Sequence, residues 1–154
     1  MSQASFSIMS QIHANCILIG AHAVLLRGAS GAGKSSLSLR LMSKGAVLIS
    51  DDRTDLVARD GRLIARSPSQ IAGLCEVRGI GVVRGLPTKP EGDVRLIVDL
   101  VDDPDDVERM PVPETELVCG IEISKWKFCI SDLAVEAKIG VALALATGQM
   151  QLEP

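Results

Sequence analysis

The chain has 154 residues and a mass of 16.3 kDa, enough for one compact domain with a hydrophobic core and short for two. Hydrophobic residues make up 47% and charged residues 23%, which excludes a wholly disordered or collagen-like chain. A formal net charge of −3 gives no general affinity for nucleic-acid phosphates, and the three aromatic residues (Phe6, Trp126 and Phe128) cannot build a base-stacking surface.

In chain order, the N-terminal stretch 1–8 carries no Lys or Arg and no extended apolar core, so it does not read as a secretory signal. A first strand is predicted over Cys16 to Ile19, a turn at Gly20-Ala21, and a second strand over Ala23 to Arg27 that is apolar on both faces, as a central strand is. A glycine-rich loop runs from Gly28 to Gly33. A helix is predicted from Ser35 to Lys44, with Leu37 and Leu41 on one face and Gly45 placed to stop it. Ala46 to Ser50 reads as a short strand ending at Asp51-Asp52. Residues 56–59 and 62–65 flank Asp60-Gly61, a strong hairpin signal that makes the sheet mixed. Strands are expected near Cys75 to Val83 and at Val94 to Leu100. The run Asp102-Asp103-Pro104-Asp105-Asp106 reads as a solvated loop. A final helix is predicted from Asp132 to Ala146, capped by Ser131 or Asp132 and apolar nearly all round, hence packed against the sheet.

The longest apolar run, Ile139 to Ala146, is far short of the roughly 20 residues a spanning helix needs. Cys16, Cys75, Cys119 and Cys129 are scattered without a Cys-x-x-Cys pair, which points to buried thiols rather than disulfides or zinc. A cytoplasmic protein is expected, without membrane or nucleic-acid partners.

Gly28-Ala29-Ser30-Gly31-Ala32-Gly33-Lys34-Ser35 matches G-x-x-x-x-G-K-[ST] without a substitution. Small residues let backbone N–H groups turn toward phosphate oxygens, and the following helix adds the positive end of its dipole. Lys34 would reach the β- and γ-phosphates of a nucleotide, and the Ser35 hydroxyl would bind Mg²⁺. Ser36 completes the candidate nucleotide-binding stretch.

Asp51-Asp52 is the second signal. A ten-residue helix leads about 15 Å away from the loop, and a five-residue strand returns about 16 Å. The carboxylates therefore come back beside the loop, and a right-handed crossover would put their strand next to the one preceding the loop. One carboxylate can help hold Mg²⁺, and the other can take a proton from a hydroxyl nucleophile. The only asparagine is Asn15, ahead of the loop, so the Asn-Lys-x-Asp motif of GTP-binding switches is absent.

Together these residues resemble the HPr kinase/phosphorylases, specifically their C-terminal catalytic domain. The likeness runs from about Ile12 to Gly85. It rests on Ile12-His13, the Gly28–Ser35 loop, the Leu-Ile-Ser-Asp-Asp run at 48–52, and Cys75-Glu-Val-Arg-Gly-Ile-Gly81, with His13 lying 21 residues before Lys34 and Glu76 lying 42 after it. The resemblance implies an α/β fold, a mixed β-sheet with a P-loop and packed helices, like phosphoenolpyruvate carboxykinase. It implies an ATP- and Mg²⁺-dependent protein kinase that phosphorylates a serine of HPr, the phosphocarrier of the phosphotransferase system, with phosphorolytic reversal in some members. Asp52 then corresponds to the base, and Ser35, Asp51 and Glu76 to the metal site. His13, Lys34 and Arg78 stand at matched active-site positions. Homo-oligomeric assembly is expected as well.

The chain departs from the family pattern in three places. With His13 so near the first residue, a short form lacking the separate N-terminal domain is expected; Ser36 replaces the usual Glu, and Ile121 to Lys127 stands where longer members carry an arginine-containing run tied to phosphorolysis. A P-loop kinase of small molecules and a non-catalytic ATP-binding regulatory module are the alternatives. On a bland reading, Glu76 and Arg78 form a surface ion pair, Gly79 and Gly81 mark a bulge, and Trp126 is a partly buried edge aromatic.

Overall fold

The computed structural model describes residues 9–29 and 31–154; the stretch 1–8 and Ser30 of the glycine-rich loop lie outside the described residues. The elements are β1 (Met9–His13), β2 (Asn15–Ile19), β3 (His22–Arg27), α1 (Lys34–Ser43), β4 (Val47–Ser50), β5 (Arg53–Arg59), β6 (Arg62–Arg66), β7 (Leu74–Val77), β8 (Gly81–Arg84), β9 (Glu91–Val101), β10 (Glu114–Val118), β11 (Ile121–Cys129) and α2 (Val135–Ala146).

The sheet is mixed, as the Asp60-Gly61 hairpin requires. Its main path runs β1-β5-β6-β9-β3-β2-β4, and β11 joins it at β9 and carries β10 on its outer edge. The long strand β9 makes this possible. Its first residues, Glu91 to Asp93, pair antiparallel with β6. Leu96 to Asp99 pair in parallel with both β3 and β11, so those two strands occupy opposite edges of β9. The loops that follow β3, β9 and β11 therefore emerge at the same end of the sheet.

Strand β3 is buried on both faces. Val24 and Leu26 point into a cluster with Leu37 and Leu41 of α1 and Ile139 of α2. Ala23 and Leu25, one residue out of phase, point into a second cluster with Leu56, Leu63 and Ile123. Each fully buried leucine stabilises the fold by about 1.5–3 kcal/mol, so the strand that carries the glycine-rich loop is clamped from both sides.

Several elements differ from expectation. The returning strand β4 does run parallel to β3, but it does not lie beside it, because β2 sits between them and pairs antiparallel with both. The stretch 75–83 is not one strand but a tight hairpin, β7–β8. Its turn is closed by Ile80 N–H donating to the Val77 carbonyl at 2.9 Å, and Gly81 sits at φ 133°, where only glycine is comfortable. Helix α2 begins at Val135 rather than Asp132, since the Asp132 carboxylate accepts from Ala134 N–H at 2.8 Å and makes a turn ahead of the helix. It is also packed on one face only: Val135, Ile139, Ala142 and Leu143 are buried, whereas Val141 is exposed. Strands β1, β10 and β11 have no counterpart in the sequence reading. Cys16, Cys75 and Cys129 are buried and all four thiols are free. No helix among the described residues is long and apolar enough to cross a membrane.

Candidate active site

A cavity of about 340 Å³ opens where the glycine-rich loop, the end of β4 and the β7–β8 hairpin meet. Gly31, Gly33, Lys34, Ser35 and Ser36 form one wall, Asp51 and Asp52 a second, and Glu76 and Arg78 a third. Residues distant in sequence, and chosen from sequence as a site, thus surround one space. Gly28, Ala29 and Ala32, and His13 as well, are not among the residues that line it. The Gly28 and Ala29 carbonyls accept from Lys34 Nζ at 2.9 and 3.3 Å, so the ammonium braces the loop from within.

Helix α1 starts at Lys34 behind Gly33, whose φ of 98° is left-handed, and no side chain caps its first turn or places an acid there. Its leading N–H groups have no intrahelical partner, and the positive end of the dipole is not offset by a carboxylate. A Cβ at Gly33 would also stand 3.2 Å from Ile130. The backbone conformation thus favours glycine there, and a side chain would need Ile130 to give way.

The acidic pair is divided by backbone geometry. Arg53 N–H donates to the Asp51 carbonyl at 2.8 Å, around an Asp52 whose φ is 69°. A hydrogen bond spanning two residues about a left-handed centre marks the strained form of the γ-turn. Asp51 is sunk to 9% exposure, while Asp52 turns outward to His13, its Oδ1 accepting from Nε2 at 2.8 Å. Both side chains of that pair remain about half exposed, at 53% and 55%. His13 closes β1 and is paired with Arg53 of β5, which places it one residue from Asp52.

Asp51 is fully engaged on Oδ1. Ser35 Oγ donates to it at 2.9 Å and Asn15 Nδ2 at 2.9 Å. Oδ2 accepts from the Glu76 N–H at 2.9 Å, which fastens the hairpin to β4 and leaves one lone pair free. Burial first, and then the charges of Asp51 and Glu76, push the nearby Cys75 thiol up to about 11, which disfavours its thiolate.

Asn15 is the residue that sequence reasoning missed. It is wholly buried. Besides Asp51, its amide nitrogen donates to Ser38 Oγ at 3.0 Å, and its Oδ1 accepts from Asp52 N–H at 3.0 Å. The orientation of its amide is fixed by chemistry, since a carboxylate can only accept and a backbone N–H can only donate. Asn15 therefore links both aspartates to α1. Its signal in the sequence is one uncharged polar residue at the head of an otherwise apolar strand, which requires partners when buried.

The donors facing the cavity are hard oxygens: Ser35 Oγ, the free lone pair of Asp51 Oδ2, and the carboxylates of Glu76 and Asp52. That set suits Mg²⁺ rather than a softer metal. Among the described residues, no three His, Cys, Asp or Glu side chains by themselves form a cation cage.

The family model of the HPr Serine kinase C-terminal domain matches residues 4–147. The chain belongs to this family. Among curated relatives, an HPr kinase/phosphorylase of Clostridium beijerinckii is 31% identical over 125 residues, covering 75% of this chain and 41% of that protein. One from Lactobacillus acidophilus is 33% identical over 131 residues, covering 79% and 41%. The chain thus spans about two-fifths of the length of these relatives. The solved structure of the Hpr(Ser) kinase/phosphatase from Coxiella burnetii superposes with a TM-score of 0.80 at 29% identity and covers 92% of each chain. The mixed α/β fold of this HPr kinase family member is therefore shared with a solved relative over nearly its whole length.

Proposed function

We propose that the chain is an ATP- and Mg²⁺-dependent protein kinase that phosphorylates a serine of an HPr-like phosphocarrier in regulation of the phosphotransferase system. The observation that carries this reading is the division of labour at the end of β4. A buried Asp51 is locked to Ser35 at 2.9 Å, and a half-exposed Asp52 beside it is oriented by His13 at 2.8 Å, both facing the bare N-terminus of α1.

Each group then has a role. Backbone N–H groups of residues 31–36 receive the phosphate oxygens. Lys34 exchanges its contacts with the Gly28 and Ala29 carbonyls for the β- and γ-phosphates. Ser35, Asp51 and Glu76 would hold Mg²⁺, which when bound neutralises charge on the transferred phosphoryl group. Asp52 accepts the seryl proton as the serine oxygen forms its bond to the γ-phosphorus and the bond to the bridging oxygen of ADP breaks. His13 Nε2–H keeps the second Asp52 oxygen turned toward the acceptor. Arg78 lines the cavity wall and in this reading offsets negative charge on the transferring group. A half-exposed base suits an acceptor hydroxyl carried on another protein, which must reach it from solvent. In phosphorolysis the same carboxyl, protonated, would return the proton to the seryl oxygen.

The test is to mix the purified chain with Mg-ATP and candidate phosphocarriers and to map the modified residue by mass spectrometry. Asp52→Asn should retain nucleotide binding, because asparagine also tolerates the left-handed backbone, and lose about 10²–10⁴-fold in transfer. Full transfer by that variant removes Asp52 from the mechanism. Phosphate transfer to a metabolite without any carrier protein would instead select a small-molecule kinase.

A further inference from the structure

The β7–β8 hairpin has two unlike faces. On one, Cys75 and Val77 are buried in the cluster that holds Leu37 and Ile139, with Val83 and Leu86 packed against it. Glu76 N–H ties the inner edge to Asp51 at 2.9 Å, so the hairpin stands as a fixed wall of the active-site cavity. On the other face, Glu76 lines the cavity and is paired in register with Val82, which sets their Cβ atoms about 4.5–5.5 Å apart. Arg84, two residues on, projects to the same side. Val82 is 69% exposed and Ile80, in the turn, 79%. Leu39 of α1 and Val77 line the cavity itself, so apolar surface runs from the cavity wall outward over the hairpin.

The fold makes no use of this ledge. Neither Ile80 nor Val82 joins a core cluster, and among the described residues β8 pairs only with β7. Arg84 is exposed and makes no ion pair among the described residues, where the pairing arginines are Arg27, Arg40, Arg59 and Arg95. The acids of this rim, Glu76 and Asp52, both face into the cavity. A metabolite would enter the cavity and leave the ledge in water. A protein whose serine reaches Asp52 must instead cover the mouth, and the hairpin is one of its three walls.

We infer that the outer face of the β7–β8 hairpin docks the acceptor protein, Ile80 and Val82 seating against an apolar patch beside the serine and Arg84 meeting a carboxylate at the border of that patch. The inference rests on the protein-kinase reading of the cavity. An apolar centre with an arginine at its edge is the composition of a protein interface, and contiguous exposed apolar groups mark such sites.

The experiment follows transfer from Mg-ATP to an HPr-like phosphocarrier by the full chain as the carrier concentration is varied. The double variant Ile80→Ser/Val82→Ser and the single variant Arg84→Glu change only exposed positions. Each should raise KM for the carrier by about tenfold or more, with kcat and the calorimetric affinity for Mg-ATP within about twofold, the signature of lost binding rather than lost chemistry. The deficit of Arg84→Glu alone should shrink as salt is raised. Hydrogen exchange on the unmodified chain gives a result even if the double variant fails to fold: the amides of residues 79–84 should slow when the carrier is added, and unslowed amides overturn the inference. An unchanged KM for the carrier in the folded double variant also overturns it and leaves the kinase reading standing. Weakened Mg-ATP binding in that variant overturns it by giving the ledge to the nucleotide, and a reduced mass by light scattering does so by giving it to a second copy of the chain. An unmodified chain that phosphorylates a metabolite but no protein removes the kinase reading and this inference with it.

Discussion

Replacing Asn15 tests whether one buried amide holds the two aspartates in their separate positions. Asn15→Ala removes a hydrogen bond to the Asp51 carboxylate, a contact type contributing about 1.5–3 kcal/mol. It also strips the Asp52 N–H of its acceptor, at about 1–3 kcal/mol for an orphaned buried donor. The Asp52 side chain is half exposed, so water entering the space vacated by the amide recovers part of this. A net loss of about 2–3 kcal/mol remains. For a chain of this size it corresponds to a fall in Tm of about 4–12 °C at about 2–4 °C per kcal/mol. Transfer should fall at least tenfold with little change in ATP affinity, because Asp52 loses the acceptor of its backbone N–H, whereas Ser35 loses only a long 3.4 Å contact from Asn15 and keeps its 2.9 Å bond to Asp51. Asn15→Asp is the sharper variant. It sets a second carboxylate about where an N–H donor stood, 2.9 Å from Asp51 Oδ1, and two carboxylates that close cannot both ionise. The introduced acid has its folded pKa raised, so its deficit is largest at high pH and shrinks as pH falls and a shared proton bridges the pair. Thermal melts of the three proteins at pH 5 and pH 8 decide the matter. A Tm for Asn15→Ala within 1 °C of the unmodified chain, or an Asn15→Asp deficit equal at both pH values, refutes the reasoning.

Gly33→Ala forces alanine into a φ of 98° and sets a methyl 3.2 Å from Ile130; about 1–2 kcal/mol of backbone strain should lower the Tm, and ATP affinity should drop because the first amides of α1 turn away. Glu116 is held at about 2, below its ordinary 4.5, chiefly by hydrogen bonding to the Arg27 guanidinium, which donates at 2.7 Å. A depressed carboxylate contributes stability that is whole above pH 4.5, declines below it and is gone once pH passes under about 2. The Tm difference between the unmodified chain and Glu116→Gln should therefore close across that interval, as pH-resolved melts will read. Cys75, pushed up to about 11, should react with a thiol reagent at pH 8 at least tenfold more slowly than an exposed cysteine, as mass spectrometry of timed samples will follow.

The hairpins show why some of the fold was legible and some was not. Asp60-Gly61 and Cys119-Gly120 make the same kind of two-residue turn, with φ values of 54° and 76° in one and 50° and 81° in the other. Such turns need positive φ at both central residues, for which Asp-Gly is a known signal and Cys-Gly is not. The first hairpin is therefore legible and β10–β11 is not, since Ile121 and Ile123 alternate with Glu122 and Ser124 but Lys125 breaks the phase. Strand β1 escaped because only Ser10 and Ile12 are even partly buried in an edge strand of pattern exposed–intermediate–exposed. The insertion of β2 between β3 and β4 is a strand-order property that no local pattern encodes. The loop, α1, the acidic pair and the Glu76–Arg78 segment were legible because their spacing and chemistry are local. The role of Asn15 depends on Asp51 and Ser38 arriving from 36 and 23 residues away, which no local pattern signals.

The strained turn at Asp52 explains how neighbouring residues came to hold opposite stations. Successive side chains on an extended strand point to opposite faces, so a continued β4 would send one of the two acids away from the loop. The left-handed centre at Asp52 breaks that alternation. Asp51 stays down against Ser35 and the Glu76 backbone, and Asp52 swings along the rim to His13. Backbone in this region costs on the order of 1–3 kcal/mol and persists only where the surroundings hold it. Here Asn15 Oδ1 grips the Asp52 amide, and the Asp51 carbonyl grips the next one. The same hydrogen bonds that sustain the strain therefore fix the distance between a buried carboxylate suited to a cation and an accessible one suited to a proton. A substitution that relaxed the turn would free the backbone and disperse the pair together, which makes the strain part of the site rather than a flaw beside it.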